Sequence, residues 1–156
     1  MVRLVQSPFG VALVFLVVAS MAGQCLAFWK PCSADDGQVL DLTVNTPCKE
    51  EHYVLQKGTN VTLNVEFWSS VDSGLVKAKA HGLVFGVPIP LKMPNEDGCK
   101  DSGIECPVKN GEKYVYVQEF EVKPSYPKLK TTLKWSLGDE SGGTMACVLL
   151  PVDIVE

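Results

Sequence analysis

The chain has 156 residues, 46% of them hydrophobic and 21% charged, with six cysteines and a net charge of −4. That length supports one domain with a sizeable core and excludes a second. Arg3 is the only arginine, and an acidic chain without clustered cations is a poor nucleic-acid binder, because phosphate contacts require them.

Residues 1–27 read as a secretory signal peptide. Arg3 precedes an apolar run from Val11 to Ala22 that is too short to span a bilayer comfortably, and cleavage is expected after Ala27. Residues 28–156 then form the mature domain, with 13 Lys against 18 acidic residues for a net of −5. Five cysteines remain: Cys32, Cys48, Cys99, Cys106 and Cys147. Their number fits an oxidising compartment, and an odd count leaves one over. If cleavage falls before Cys25, that residue becomes available to pair with Cys48. No Cys-x-x-Cys is present and His52 and His81 stand alone, so no metal site is expected.

Alternation with period two dominates after residue 38, and no window carries a helical stripe. Leu40, Leu42 and Val44 alternate with Asp41 and Thr43. Val61, Leu63, Val65 and Phe67 alternate with Thr62, Asn64 and Glu66, the pattern of a half-buried strand. Leu75 to Val84 alternates weakly, with Lys77, Lys79 and His81 on one face. Tyr114 to Val122 is rich in aromatic and β-branched residues. Leu129, Thr131, Leu133, Trp135 and Leu137 alternate with lysines, threonine and serine. Thr144 to Val155 is apolar on both faces and predicts a central strand. Turn signals at Lys57-Gly58, Asp97-Gly98, Asn110-Gly111 and Ser141-Gly142-Gly143 separate these segments. Roughly six to eight strands at such spacing predict an all-β, two-sheet sandwich in one domain.

Phe85-Gly86-Val87-Pro88-Ile89-Pro90-Leu91 is turn-like by its glycine and prolines, yet carries no charge. As a surface loop it exposes an apolar patch; as a strand end folded back it is buried. Three stretches together resemble the ML (lipid-recognition) domain family. They are His81-Gly82 running on to Gly86-Val87-Pro88, Asp97-Gly98-Cys99 with Cys106-Pro107, and Tyr126-Pro127 leading to Trp135 and Cys147. The similarity runs from about Trp29 to Val155.

The resemblance implies an immunoglobulin-like β-sandwich with a lipid-binding cavity between its sheets. It implies that Leu91, Val122 and Tyr126, with Pro127 beside them, line the entrance. The segment Phe85, Gly86, Val87 and Pro88 is implied to face the membrane or a membrane-bound acceptor. Disulfides Cys32–Cys147 and Cys99–Cys106 follow from the same likeness, the second with a spacing one residue longer than the family pattern. A bridge of the first kind contributes up to about 4.7 kcal/mol in the chain-entropy account. The family's partner for Cys48 falls at Tyr53, so Cys48 is expected to be unpaired. Taken alone, Tyr126-Pro127 reads as a turn with a packed ring.

A sterol has one hydroxyl and a rigid apolar body, so its site needs hydrocarbon walls and few polar groups. Burying roughly 400 Å² of it at about 25 cal/mol per Å² supplies on the order of 10 kcal/mol before association costs. The inward rows containing Val65, Phe67 and Trp135 provide such walls. The same rows also serve as an ordinary closed core, and periodicity does not separate the two. The expected function is a secreted or lysosomal sterol carrier, expected to be monomeric, with lipid as cargo and no cofactor. Rival readings are a carrier of a fatty acid, glycolipid or semiochemical, and an adhesion-type sandwich that binds no lipid. An enzyme is not expected, since Gly-x-Ser-x-Gly, His-Glu-x-x-His and glycine-rich phosphate loops are all missing. Asn60-Val61-Thr62 is the only glycosylation sequon, and Asn60 shares the solvent-facing parity of Asn64 and Glu66.

Overall fold

A computed structural model describes residues 28–156; the expected signal segment and Cys25 lie outside the described residues. The strands are β1 (Lys30–Pro31), β2 (Gly37–Val44), β3 (Cys48–Lys49), β4 (His52–Gln56), β5 (Asn60–Ser69), β6 (Lys77–Val84), β7 (Val87–Leu91), β8 (Lys113–Glu121), β9 (Leu129–Gly138) and β10 (Thr144–Val155). The larger sheet runs β3-β4-β10-β9-β6-β7, with β1 also paired to β10, and the smaller runs β2-β5-β8. The described residues hold no helix. This is the expected all-β sandwich, and β10 is the central strand that its two apolar faces predict.

Local chemistry explains each register. On β5 the alternation puts Val61, Leu63, Val65 and Phe67 inside while Asn60 and Trp68 stay outside. β10 pairs with β9 along one edge and shares its other edge between β1, opposite Val148 and Leu149, and β4, parallel from Val152 onward. Pro151 falls between those two partners, where a missing N–H costs no ladder bond. β4 was not evident from sequence: it is short, and its parallel pairing to β10 spans most of the chain.

The segment 85–91 is not a loop. Phe85 and Gly86 form a two-residue turn with φ of 51° and 80°, and Val87–Leu91 returns as an edge strand against β6. It is apolar and exposed all the same, with Phe85 fully in solvent. Its two prolines are tolerated because an edge strand needs ladder bonds on one side only.

Cys32 is bonded to Cys147, closing 115 residues, and Cys99 to Cys106. Cys48 is disulfide-bonded as well, which overturns the expectation of an unpaired thiol. The odd count behind that expectation begins after Ala27, and Cys25 lies outside the described residues.

Candidate functional site

The two sheets do not pack equally along their length. Toward one end Phe67, Tyr116, Leu137, Met145 and Val148 meet with no exposure above 0%. Toward the other end the sheets leave a cavity of about 520 Å³. That volume lies within the roughly 300–1,000 Å³ of known ligand pockets. Trp135 marks the boundary: it lines the cavity, and its ring stacks on Tyr116 with centroids 4.9 Å apart and planes at 46°. Such a tilted aromatic pair is favoured by the ring quadrupoles.

The cavity wall comes from inward positions on both sheets. The larger sheet supplies Leu55 of β4, Ala80 and Gly82 of β6, Leu133 of β9, and Leu150 and Val152 of β10. Leu63 of β5 and Phe120 of β8 face them from the smaller sheet. Gly82 leaves open space: a Cβ placed there meets nothing within 4 Å. Small inward residues on β6 therefore leave the space between the sheets unfilled. The row Ala78, Ala80, Gly82 is legible in the sequence, but small residues carry a weaker signal than the lysines and His81 of the opposite parity.

Of the expected ligand-contacting residues, Leu91, Val122, Tyr126, Pro127 and Trp135 come together on the cavity wall. Val65 and Phe67 do not. They share the inward face of β5 with Leu63, but their part of the strand lies in the closed half, where both are completely buried. Val122 is fixed from behind by backbone bonds, its N–H donating to Thr59 O at 2.9 Å and its O accepting from Gly58 N at 2.7 Å. Tyr126 and Pro127 follow a turn in which Tyr126 N donates to Lys123 O at 3.1 Å. Exposed Lys92, Lys123 and Glu121 bring the only charges to the lining.

One buried amide interrupts the apolar wall. Gln118 accepts from the Tyr116 hydroxyl at 2.9 Å and donates to Glu119 O at 3.0 Å. Burial pushes the Tyr116 phenol up to about 12, so it stays protonated and keeps donating. The amide is thus occupied locally and adds little polarity to the cavity. Nothing in the wall combines a nucleophile with a base, and no Ser, Cys or His lines it. The arrangement encloses an apolar body and leaves a polar end at the rim.

The hairpin tip Phe85-Gly86-Val87-Pro88 sits on the β6–β7 pair, whose Ile89 and Leu91 reach the cavity lining. Asn60 is exposed at the start of β5, its amide donating to Glu119 Oε1 at 3.1 Å.

A family model described as the ML domain matches residues 27–154. A zebrafish (Danio rerio) protein named NPC intracellular cholesterol transporter 2 is 42% identical over 124 residues, covering 80% of this chain and 82% of that relative. The Bos taurus protein of the same name is 34% identical over 144 residues, covering 92% and 95%. The crystal structure of a Niemann-Pick type C2 protein from the Japanese carpenter ant superposes with a TM-score of 0.77 at 28% identity, covering 81% of this chain and 98% of that one. Chicken MD-1, complexed with lipid IVa, shares the fold at a TM-score of 0.51 and 19% identity, covering 80% and 86%. The chain belongs to the ML domain family.

Proposed function

We propose that this protein is a lipid carrier that takes a sterol into the cavity between its sheets and delivers it to membranes or to a membrane-bound acceptor. The observation that carries this reading is the half-open sandwich: an apolar cavity of about 520 Å³ beside a fully packed half of the same strands. The cholesterol-transporter names of its relatives favour a sterol over other lipids. Leu91, Val122, Tyr126, Pro127 and Trp135 contact the cargo through shape and apolar area, with no chemistry performed on it. Phe85 to Pro88 is the docking tip. Placing a phenylalanine at φ 51° and wholly in solvent is unfavourable for folding on two counts, which supports a role outside the folded core.

The signal segment, the disulfides and the sequon at Asn60 favour a glycosylated monomer that is secreted or reaches the lysosomal lumen. No helix among the described residues is long and apolar enough to cross a membrane. The deciding experiment is mass spectrometry of ligand retained after native purification, joined to titration with a fluorescent sterol. Retained or titratable sterol supports the reading. A retained fatty acid or glycolipid without sterol binding reassigns the cargo, and no bound lipid of any kind overturns the carrier.

A further inference from the structure

The closed end of the sandwich holds a pair of carboxyl groups that carriage of lipid does not use. Asp139 opens the β9–β10 turn and is 6% exposed. Its Oδ1 accepts three bonds, from Ser141 N at 2.7 Å, Ser141 Oγ at 2.6 Å and Gly143 N at 3.1 Å. Its Oδ2 is buried and has no donor at all. Leaving a buried acceptor unpaired costs about 1–3 kcal/mol, and more when it is charged.

The group facing that oxygen is a second carboxyl. A Cβ added to Gly143 would stand 1.7 Å from Asp36 Oδ2 and 2.6 Å from Asp139 Oδ2, so both oxygens converge on the space that this glycine leaves free. The Asp36 backbone is anchored as well. Its N–H donates to Thr144 O at 3.0 Å, and its O accepts from Ser70 N at 3.0 Å. It therefore joins the start of β10 in the larger sheet to the end of β5 in the smaller. The Asp139 carboxylate cannot turn away without breaking its bonds, and the Asp36 bonds fix the backbone from which its carboxyl reaches the shared space.

Two carboxylate oxygens that converge on one space repel, and one proton between them removes the repulsion while satisfying the orphaned oxygen. We infer that Asp36 and Asp139 share a single proton, and that this acid pair latches the closed end of the sandwich until the shared proton is lost. No third carboxylate, histidine or cysteine among the described residues completes a metal site there. The other charges on the adjoining segments are Asp35, Glu140 and Lys77. Glu140, itself negative, accepts from Gly74 N at 3.2 Å, and Lys77 is drawn to Glu96 at 3.9 Å, so that cation does not neutralise the pair.

The proton's location follows from the two environments. Partial desolvation, and then the hydrogen bond and charge of Asp139, push the Asp36 carboxyl up. Burial alone would raise Asp139 too, but its bonds from Ser141, Gly143 and Asp36 outweigh burial and hold it down. Stability from the raised Asp36 is present at low pH and lost as pH rises through its folded value. Stability from the depressed Asp139 is present at higher pH and lost as pH falls through its own folded value. The latch is strongest in the window between.

Carboxyl carbon chemical shifts of the wild-type protein, followed against pH, test the pair directly. One carboxyl titrating above the ordinary aspartate range and the other below it is the expected result. Alongside it, the melting temperature is followed across the pH range in which the upper of the two carboxyls titrates, for wild type and Asp36→Asn, whose amide supplies a permanent donor to Asp139 Oδ2. Wild type is expected to lose melting temperature as the shared proton is lost while the variant does not, other titrating groups cancelling in the difference. Ordinary values for both aspartates, or identical pH profiles for both proteins, overturn the inference. A melting temperature at neutral pH that rises with added calcium and falls with chelator also overturns it, in favour of a bound cation.

Discussion

The same strands build two different halves. Along β9 the inward row begins with Leu129, Thr131 and Leu133, all half-buried, and ends with Trp135 at 2% and Leu137 at 0% exposure. The alternation is uniform; the packing is not. In the closed half large side chains interdigitate, and the Cys32–Cys147 bridge and Asp36 tie the ends of the strands together. In the open half β6 offers Ala80 and Gly82 before Val84, and the end of β7 at Leu91 and the turn carrying Tyr126 rim the gap without filling it. Period two therefore fixes which way a side chain points, while side-chain size along the row decides whether the sheets meet.

The largest expected effect comes from the closed half. Phe67→Ala removes a completely buried ring that lies 5.9 Å from the Tyr114 ring, and should cost about 3–5 kcal/mol in apo-protein stability by chemical denaturation. Any sterol bound by the folded fraction should keep its affinity, since Phe67 is not on the cavity wall. Tyr126→Ala reverses the pattern. Sterol affinity should fall about tenfold, in line with roughly 1.4 kcal/mol of lost contact, with little change in apo melting. Normal affinity with a severely destabilised apo protein would return Tyr126 to the core.

Gly82→Leu should sharpen the contrast from the other side. Its side chain enters existing space, so folding is preserved while the cavity shrinks and sterol binding weakens several-fold. The smallest effect is expected at the hairpin tip. Phe85→Asn places at φ 51° a residue that tolerates that conformation, raising stability by about 0.5–1 kcal/mol. Equilibrium sterol binding should persist while transfer to acceptor vesicles slows. Equal loss of binding and transfer would make the tip part of the pocket.

Much of the fold was legible because most strands carry a clean inward row and a turn signal at each end. β7 was not, because Pro88 and Pro90 read as turn residues and the edge position that excuses them is a tertiary fact. The entrance residues entered only through family likeness; nothing in Tyr126-Pro127 itself separates a pocket wall from a packed turn. Val65 and Phe67 were assigned to the wall because alternation gave them the parity of Leu63, and parity carries no information on depth. Gln118 and Tyr53 line the cavity unforeseen, the first because a buried glutamine resembles a surface one in sequence, the second because β4 went unrecognised.

The prolines of β7 bear on behaviour in crowded solution. Residues along an antiparallel edge alternate between bonding the neighbouring strand and pointing their N–H groups outward. Pro88 and Pro90 have no N–H to give β6, so they occupy the outward positions, opposite Leu83 and His81. The free margin of the sheet thus lacks hydrogen-bond donors over the stretch where Val87 and Ile89 are most apolar. A second molecule that approaches this margin finds no template on which to add a strand, so a sticky, exposed edge is kept from seeding fibrils.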